Sequence, residues 1–143
     1  MKIKLTQVKT TNYHNTFIEV AEDCPVKFGE MPMQKGGART AAVLQYEMII
    51  SNPYRYSSDD VLFGVFAIKN NIDKTDFASE REKFFSKGQP CFRSSPLTKR
   101  YGWGVHSDAD GKIALYAMDS SEYKKWATDK RYVHLKAMRS KRK

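Results

Sequence analysis

Apolar and polar positions change their spacing along the chain, and the spacing predicts where strands and helices lie. Residues 16–20 (TFIEV) alternate between the two kinds, which is typical of a half-buried strand, and turn chemistry follows at residues 22–25. The N-terminal segment MKIKL is a candidate edge strand. Residues 25–39 contain prolines and a pair of glycines, so this stretch is expected to be a surface loop.

Three stretches have the wider apolar spacing of helices. They cover about residues 41–51, 58–70 and 76–87. Pro53 follows the end of the first stretch, and a proline disfavours helix at the residue before it. Ser57 and Asp60 have the spacing of a capping box at the start of the second stretch. Gly88 is the terminating residue of the third.

The clearest hairpin has strands at 99–106 and 112–118, joined by the turn SDADG. Asp108 suits the first position of a type I turn, and Gly111 suits the left-handed residue of a three-residue loop, which pairs Asp108 with Lys112. Side chains alternate between the faces of a strand, so this register separates bulky residues from small ones. The bulky face has Trp103, Val105, Leu115 and Ala117; the nearly bare face has Gly102, Gly104, His106, Ala114, Tyr116 and Met118. We expect Trp103 to face the core.

Two further elements follow the hairpin. A short helix capped by Asp119 or Ser120 has Tyr123 and Trp126, and the alternation around Leu135 indicates a final strand. The predicted fold class is therefore α+β, with a small, mainly antiparallel sheet packed on one side against about three helices. Residues 1–138 are expected to form a single globular domain, and the basic residues 139–143 a disordered tail.

Length and composition restrict the class of protein further. The 143 residues suit one core, and no run of about 18 apolar residues or signal-peptide pattern occurs, so we expect a cytoplasmic protein with no membrane partner. The two cysteines are expected to be reduced thiols. A net charge of +9 favours anionic partners by long-range attraction.

Several stretches resemble a known family. They are TTNYHNTFIEVAEDCPV, ISNPYRYSSDDVLF and FFSKGQPCFRSSPLTKRYGWGVHSDADGKIALY, and together they span most of residues 10–123. The chain resembles a group of small, uncharacterised, mainly bacterial proteins that are known only as a domain of unknown function. The MKIKLTQVK leader and the SKRK tail depart from that resemblance. It implies no activity, cofactor or catalytic residue.

The connection from Gln89 to Arg100 is the best candidate site, because no acid occurs between Glu82 and Asp108 while basic and hydroxyl residues are concentrated there. A guanidinium can hold a phosphate or carboxylate through paired hydrogen bonds, and neighbouring serines can add their hydroxyl and amide donors. The predicted ligand contacts in this run are Arg93, Ser94, Ser95, Lys99 and Arg100. No helix-forming signal follows the run directly, so it is not a P-loop. The alternative is a solvated charged connection.

The glycines of the first hairpin strand indicate that something approaches the backbone closely there. In the functional interpretation a ligand or a partner's backbone lies on the bare face, flanked by Arg100 and His106, and the candidate contacts there are Gly102, Gly104 and Tyr116. In the structural interpretation Tyr116 and another part of the chain fill the gap. The preferred function is a noncatalytic binding module for a small anionic ligand or an acidic partner, with no cofactor.

Two other classes of function stay open. In an enzyme, Cys91 or His106 could do the chemistry, although a nucleophile and its base must be in contact. The simpler expectation is a buried, inert Cys91 and a half-exposed His106. A zinc site of His14, Cys24, Cys91 and His106 lacks the usual ligand spacing, so we predict no metal. Nonspecific nucleic-acid binding through the basic loop and tail is the remaining alternative.

Overall fold

A four-stranded mixed sheet organises the fold in the computed structural model, which describes residues 9–34 and 36–141. The strands are β1 (Thr16–Glu19), β2 (Trp103–Ser107), β3 (Ile113–Ala117) and β4 (Val133–Lys136), in the order β3-β2-β1-β4. β1 is antiparallel to β2 and parallel to β4, while β2 and β3 are antiparallel. The α+β fold class and its mostly antiparallel sheet are confirmed.

Five helices accompany the sheet. They are α1 (Ala41–Ile50), α2 (Ser58–Lys69), α3 (Phe77–Ser86), α4 (Pro96–Lys99) and α5 (Ser121–Thr128), with 3₁₀ turns at Lys74–Asp76 and Phe92–Ser94. Thr40 caps α1, and Ser57 forms with Asp60 the capping box predicted for α2. Ser120 caps α5 by accepting the N–H of Tyr123. The long helices lie where the apolar spacing predicts them, to within one residue at each end.

The hairpin has the predicted register. Trp103 lies opposite Ala117 and Gly104 lies opposite Tyr116. The N–H of Asp108 donates to the carbonyl of Lys112 at 2.9 Å, and Gly111 has a φ of +79°, as the three-residue loop requires. The turn therefore sets the register locally, and Trp103 is only 9% exposed in the main core.

The first hairpin strand begins at Trp103 rather than at Lys99, which corrects the predicted boundary. Ser95 is the N-cap of α4: its Oγ accepts the N–H of Leu97 at 3.1 Å, and Pro96 occupies the first turn. A serine cap followed by proline is a helix-start signal, because proline lacks the N–H that would be left unbonded there. A helical turn thus follows directly after the basic run, contrary to expectation.

Residues of one sheet face form the main core with α1, α2 and α4. Ile18, Val105 and Leu115 lie on this face and are almost completely buried. Val61 of α2 and Leu97 of α4 are fully buried against them. Each such side chain contributes roughly 1.5–3 kcal/mol by leaving water. Burial of this face therefore fixes the sheet against the helices.

α5 packs on the opposite face of the sheet, where the two hairpin strands have the small residues Gly104 and Ala114. Its Tyr123 meets Phe17 edge to face, with the ring centres 5.0 Å apart. The Tyr123 hydroxyl also accepts the N–H of Val20 at 3.0 Å, so β1 and α5 are tied together. The sheet consequently has helices on both sides rather than on one.

The predicted edge strand MKIKL lies outside the described residues. At the other end, the N–H groups of Ser140 and Lys141 donate to the carboxylate of Asp23 at 2.9 Å. The division into a domain at 1–138 and a disordered tail at 139–143 stays a prediction, and residues 142–143 lie outside the described range. Within that range no helix is long and apolar enough to cross a membrane.

Candidate functional site

The predicted ligand residues lie in several places rather than in one pocket. Lys99 and Arg100 line a groove beside the chain's C-terminal segment, Ser95 lines a cleft between helices, and Tyr116 lines a cavity on the α5 side of the sheet. Ser94 lines both the groove and the cleft. The two glycines line none of these three spaces.

The protein's own groups make the close approach that the strand glycines indicated. A Cβ at Gly104 would lie 2.6 Å from the rings of Phe17 and Tyr123. Gly102 has a φ of +80°, and a Cβ there would clash with the carbonyl oxygen of Phe28. These contacts correspond to the structural interpretation, with Tyr123 rather than Tyr116 filling the gap over Gly104.

The groove beside α4 is basic. It measures about 360 Å³ and is lined by Ser94, Pro96, Lys99, Arg100 and Ser140. Neither Lys99 nor Arg100 forms an ion pair with any described carboxylate. The Ser94 hydroxyl donates to the sulfur of Met138 at 3.1 Å, a weak acceptor that a better one could replace. We name this the basic groove.

Arg93 and Ser95 already have structural partners. The Nε of Arg93 donates to the carbonyl of Lys136 at 2.8 Å, and the backbone carbonyl of Arg93 accepts the N–H of Met138 at 2.7 Å. It thereby holds the chain after β4 against the connection. Besides capping α4, the Ser95 hydroxyl donates to Oε1 of the buried Gln45 at 2.7 Å. Of the predicted anion contacts, Ser94, Lys99 and Arg100 therefore lie together at the groove.

Cys91 and His106 lie on opposite sides of the sheet. Cys91 is half-buried rather than buried as expected, in a cleft of about 150 Å³ on the helix side, where its Sγ is 3.2 Å from the Tyr13 hydroxyl. Burial first, and then this hydrogen bond, raise the pKa of Tyr13 to about 12. His106 lies on the α5 side, so the structure does not bring the two catalytic candidates into contact.

His106 is at the centre of an aromatic cluster and is 3% exposed, rather than half-exposed as expected. Its ring stacks on Trp126 with the centres 3.7 Å apart, and Tyr132 contacts it edge to face. Its Nδ1 forms a 2.9 Å hydrogen bond with the hydroxyl of Tyr54, which in turn lies 2.7 Å from the hydroxyl of Tyr116. A continuous chain of hydrogen bonds thus connects His106 to Tyr116.

Burial keeps His106 and Tyr54 in this chain uncharged near neutral pH. It lowers the pKa of His106 below its usual 6.5, although the charges of Asp108 and Asp129 act in the opposite direction. Burial, followed by the hydrogen bond with Tyr116, raises the pKa of Tyr54 far above its usual 10. The Nε2 of His106 is buried and has no hydrogen-bond partner among the described residues.

Tyr116 and Trp126 connect the aromatic cluster to a surface cavity of about 250 Å³. Its lining residues are Tyr116, Glu122, Lys125, Trp126, Asp129 and Arg131. Arg131 and Asp129 form an ion pair at 2.8 Å within it. We name this space the aromatic cavity. The sequence predicted Tyr116 as a site residue but not Trp126, which also lines the cavity. The signal for Trp126 was a tryptophan on a short amphipathic helix directly after the hairpin.

Candidate metal ligands do not assemble. The described residues contain no group of three or more His, Cys, Asp or Glu side chains placed to hold a metal ion. His14, named in the zinc alternative, places its Nδ1 3.1 Å from the carbonyl of Ala109 in the hairpin turn. Its role in the described structure is thus a contact with the turn.

The structure is of the α+β class, with a mixed sheet, helices on both faces of the sheet and several small surface cavities. The chain belongs to a family of unknown function, DUF6157, whose family model matches residues 8–143. This match includes the SKRK tail, which sequence reasoning had set apart. No curated protein and no solved structure matches the chain.

Proposed function

We propose that this domain is a noncatalytic binding module whose ligand is a small anion held in the basic groove. One observation carries the proposal: Lys99 and Arg100 are adjacent at the groove and have no carboxylate partner among the described residues. An anion there would form charge-assisted hydrogen bonds without displacing an internal ion pair.

The groove also supplies neutral donors. Ser94 offers a hydroxyl now bonded to a weak sulfur acceptor, and it belongs to the connection that Arg93 holds in place. Asp23 contacts Ser140 at the same groove, but amide donors already surround its carboxylate, and the N–H of Lys141 is the main cause of its lowered pKa. The net charge of +9 would speed the encounter with an anion.

Thermal unfolding with a panel of small anions tests the proposal. Phosphate, adenosine monophosphate and citrate are compared with chloride at constant ionic strength, because surface charges respond to salt. A ligand at ten times its Kd adds about 1.4 kcal/mol to the free energy of unfolding, which raises Tm by roughly 3–5 °C for a chain of this length. A Tm that no member of the panel moves would contradict the proposal.

Matched variants locate the site. The double variant Lys99→Gln/Arg100→Gln should lose the increase in Tm, whereas Lys124→Gln/Lys130→Gln removes the same charge from the α5 region and should retain it. Equal losses in both variants would mean that net charge, rather than the groove, attracts the anion. Stabilisation by poly-glutamate alone would indicate an acidic partner in place of a small ligand.

An enzyme that uses Cys91 is a second candidate function, favoured by the position of this thiol in a cleft with the Tyr13 hydroxyl 3.2 Å away. A working nucleophile must be accessible as thiolate, so it should react with a thiol reagent in the folded state faster than Cys24 does at neutral pH. An unreactive Cys91 would exclude this candidate.

We also propose a cytoplasmic location, as expected from the sequence. Both cysteines are free thiols, which supports it.

A further inference from the structure

We propose that the aromatic cavity is a second binding site, which takes a small, uncharged molecule with a planar aromatic ring. This site goes beyond the proposed anion site and shares no lining residue with the basic groove. It lies on the α5 side of the sheet, whereas α4 packs on the core side.

The size of the cavity restricts the ligand. At about 250 Å³ it is slightly smaller than the pockets of roughly 300 Å³ and above that hold drug-sized molecules, so one small ring system fits it. Three of its charged side chains, Glu122, Lys125 and Arg131, are exposed to solvent. The half-buried Trp126 and Tyr116 supply aromatic surface, with their ring centres 5.9 Å apart and the planes tilted by 58°. Aromatic side chains favour offset or edge contacts with another ring.

The charges of the lining favour an uncharged ligand. Glu122 and Asp129 are balanced by Lys125 and Arg131, so the cavity has no net charge. Arg131 also forms two hydrogen bonds to the carboxylate of Asp129, at 3.1 and 2.8 Å, so two of the four charged side chains already have a partner. This balance distinguishes the aromatic cavity from the basic groove.

The hydrogen-bond chain holds one wall of the cavity in place. Tyr116 lines the cavity, and its hydroxyl is held by Tyr54, which is held by Nδ1 of His106. Trp126 is held from behind in a similar way, because the His106 ring stacks on one of its faces. Side chains fixed in this manner lose little freedom when a ligand binds, which favours affinity.

Two independent features mark this region as more than a packed core. Tyr54 has a φ of +59°, a left-handed conformation that is uncommon for a bulky residue, and such strain is concentrated at functional sites. Nε2 of His106 is a buried polar atom without a described partner, and such atoms are rare in native proteins. Both belong to the chain that ends at the cavity.

Nuclear magnetic resonance titration of the full chain with benzamide and with cyclohexanecarboxamide tests this site. The two probes have the same amide group and differ in the planar ring. We expect benzamide to shift the indole N–H signal of Trp126 in a saturable way, with cyclohexanecarboxamide binding about tenfold more weakly. The only other tryptophan, Trp103, bonds to the carbonyl of Glu30 and should not respond.

Substitutions complete the test. Trp126→Leu, followed through the backbone amide signals of α5, should abolish saturable benzamide binding, and Tyr116→Phe, which keeps the ring and removes the hydroxyl, should weaken it severalfold. Tyr101→Phe is the matched control and should bind benzamide as the unmodified chain does. Equal affinity for the two probes, no saturable shift of Trp126, or unchanged affinity in Tyr116→Phe would overturn the proposal. The Tyr116→Phe result decides the matter even if Trp126→Leu does not fold.

Discussion

Gly104 shows how a single missing side chain shapes this fold at the residue scale. It lies on β2 between Phe17 of the neighbouring strand and Tyr123 of α5. Tyr123 fills the space over the backbone and bonds through its hydroxyl to Val20. The absence of a Cβ at Gly104 therefore allows α5 to pack closely on the sheet.

Gly104→Ala should destabilise the fold by about 1–3 kcal/mol, because the new Cβ would lie 2.6 Å from two aromatic rings. Gly37→Ala is the control, since a Cβ there meets no atom of the described residues within 4 Å. That substitution should be neutral or slightly stabilising, because it restricts the unfolded chain. Urea unfolding of the two variants measures the difference, and equal stabilities would refute this account of Gly104.

His106 predicts a dependence of stability on pH. Its folded pKa is lowered by burial, while the unfolded chain keeps a pKa near 6.5. Between these two values the unfolded state binds more protons, so the free energy of unfolding falls as the pH is lowered through that window. The contribution is fully present above pH 6.5.

The comparison is with His106→Asn, which cannot titrate in this range. Urea unfolding between about pH 7.5 and 5 should give a steeper loss of stability for the unmodified chain than for the variant. The slopes are compared, so a constant offset in stability between the two does not affect the result. Parallel pH profiles would mean that His106 is not held in its neutral form by the fold.

At the scale of elements, α4 connects the core to the basic groove. Leu97 is fully buried, while Lys99 and Arg100 at its end line the groove. Ser95 fixes its start through the cap and through the hydrogen bond to Gln45 of α1. The position of the two cations thus depends on a four-residue helix that has little stability of its own.

Ser95→Ala should cost about 2–3 kcal/mol, since it removes a helix cap and leaves the amide oxygen of the buried Gln45 without this donor. Ser121→Ala removes an exposed hydroxyl that donates to Glu122 and should change stability by less than about 0.5 kcal/mol. Equilibrium unfolding in urea compares the pair. Similar effects for both would show that Ser95 does not fix α4.

Elements whose signals are local were predictable from the sequence. The SDADG turn sets the hairpin register, and the caps at Ser57 and Ser120 begin their helices. The Ser95-Pro96 start of α4 is an equally local signal, but the basic and hydroxyl residues between Gln89 and Arg100 favoured the prediction of a loop. The aromatic cluster was not predictable, because Tyr54, His106 and Trp126 are far apart in sequence and meet only through the tertiary fold.

At the scale of the whole molecule, the sheet separates two surfaces of different chemistry. The basic groove beside α4 has two cations with no carboxylate partner in the described part of the chain, whereas the aromatic cavity beside α5 has equal numbers of acidic and basic side chains and aromatic walls. The net charge of +9 attracts anions to the whole surface, so charge alone does not select the groove. A saturable and localised response is needed to distinguish a site from general attraction.

Backbone amide resonances during a titration with inorganic phosphate at constant ionic strength test the anion site most directly. We predict saturable shifts confined to residues 94–101 and Ser140, with none in α5, and their loss in Lys99→Gln/Arg100→Gln. Gradual, unsaturated shifts spread over lysines on all surfaces, or saturable shifts that persist in the double variant, would contradict binding in the basic groove.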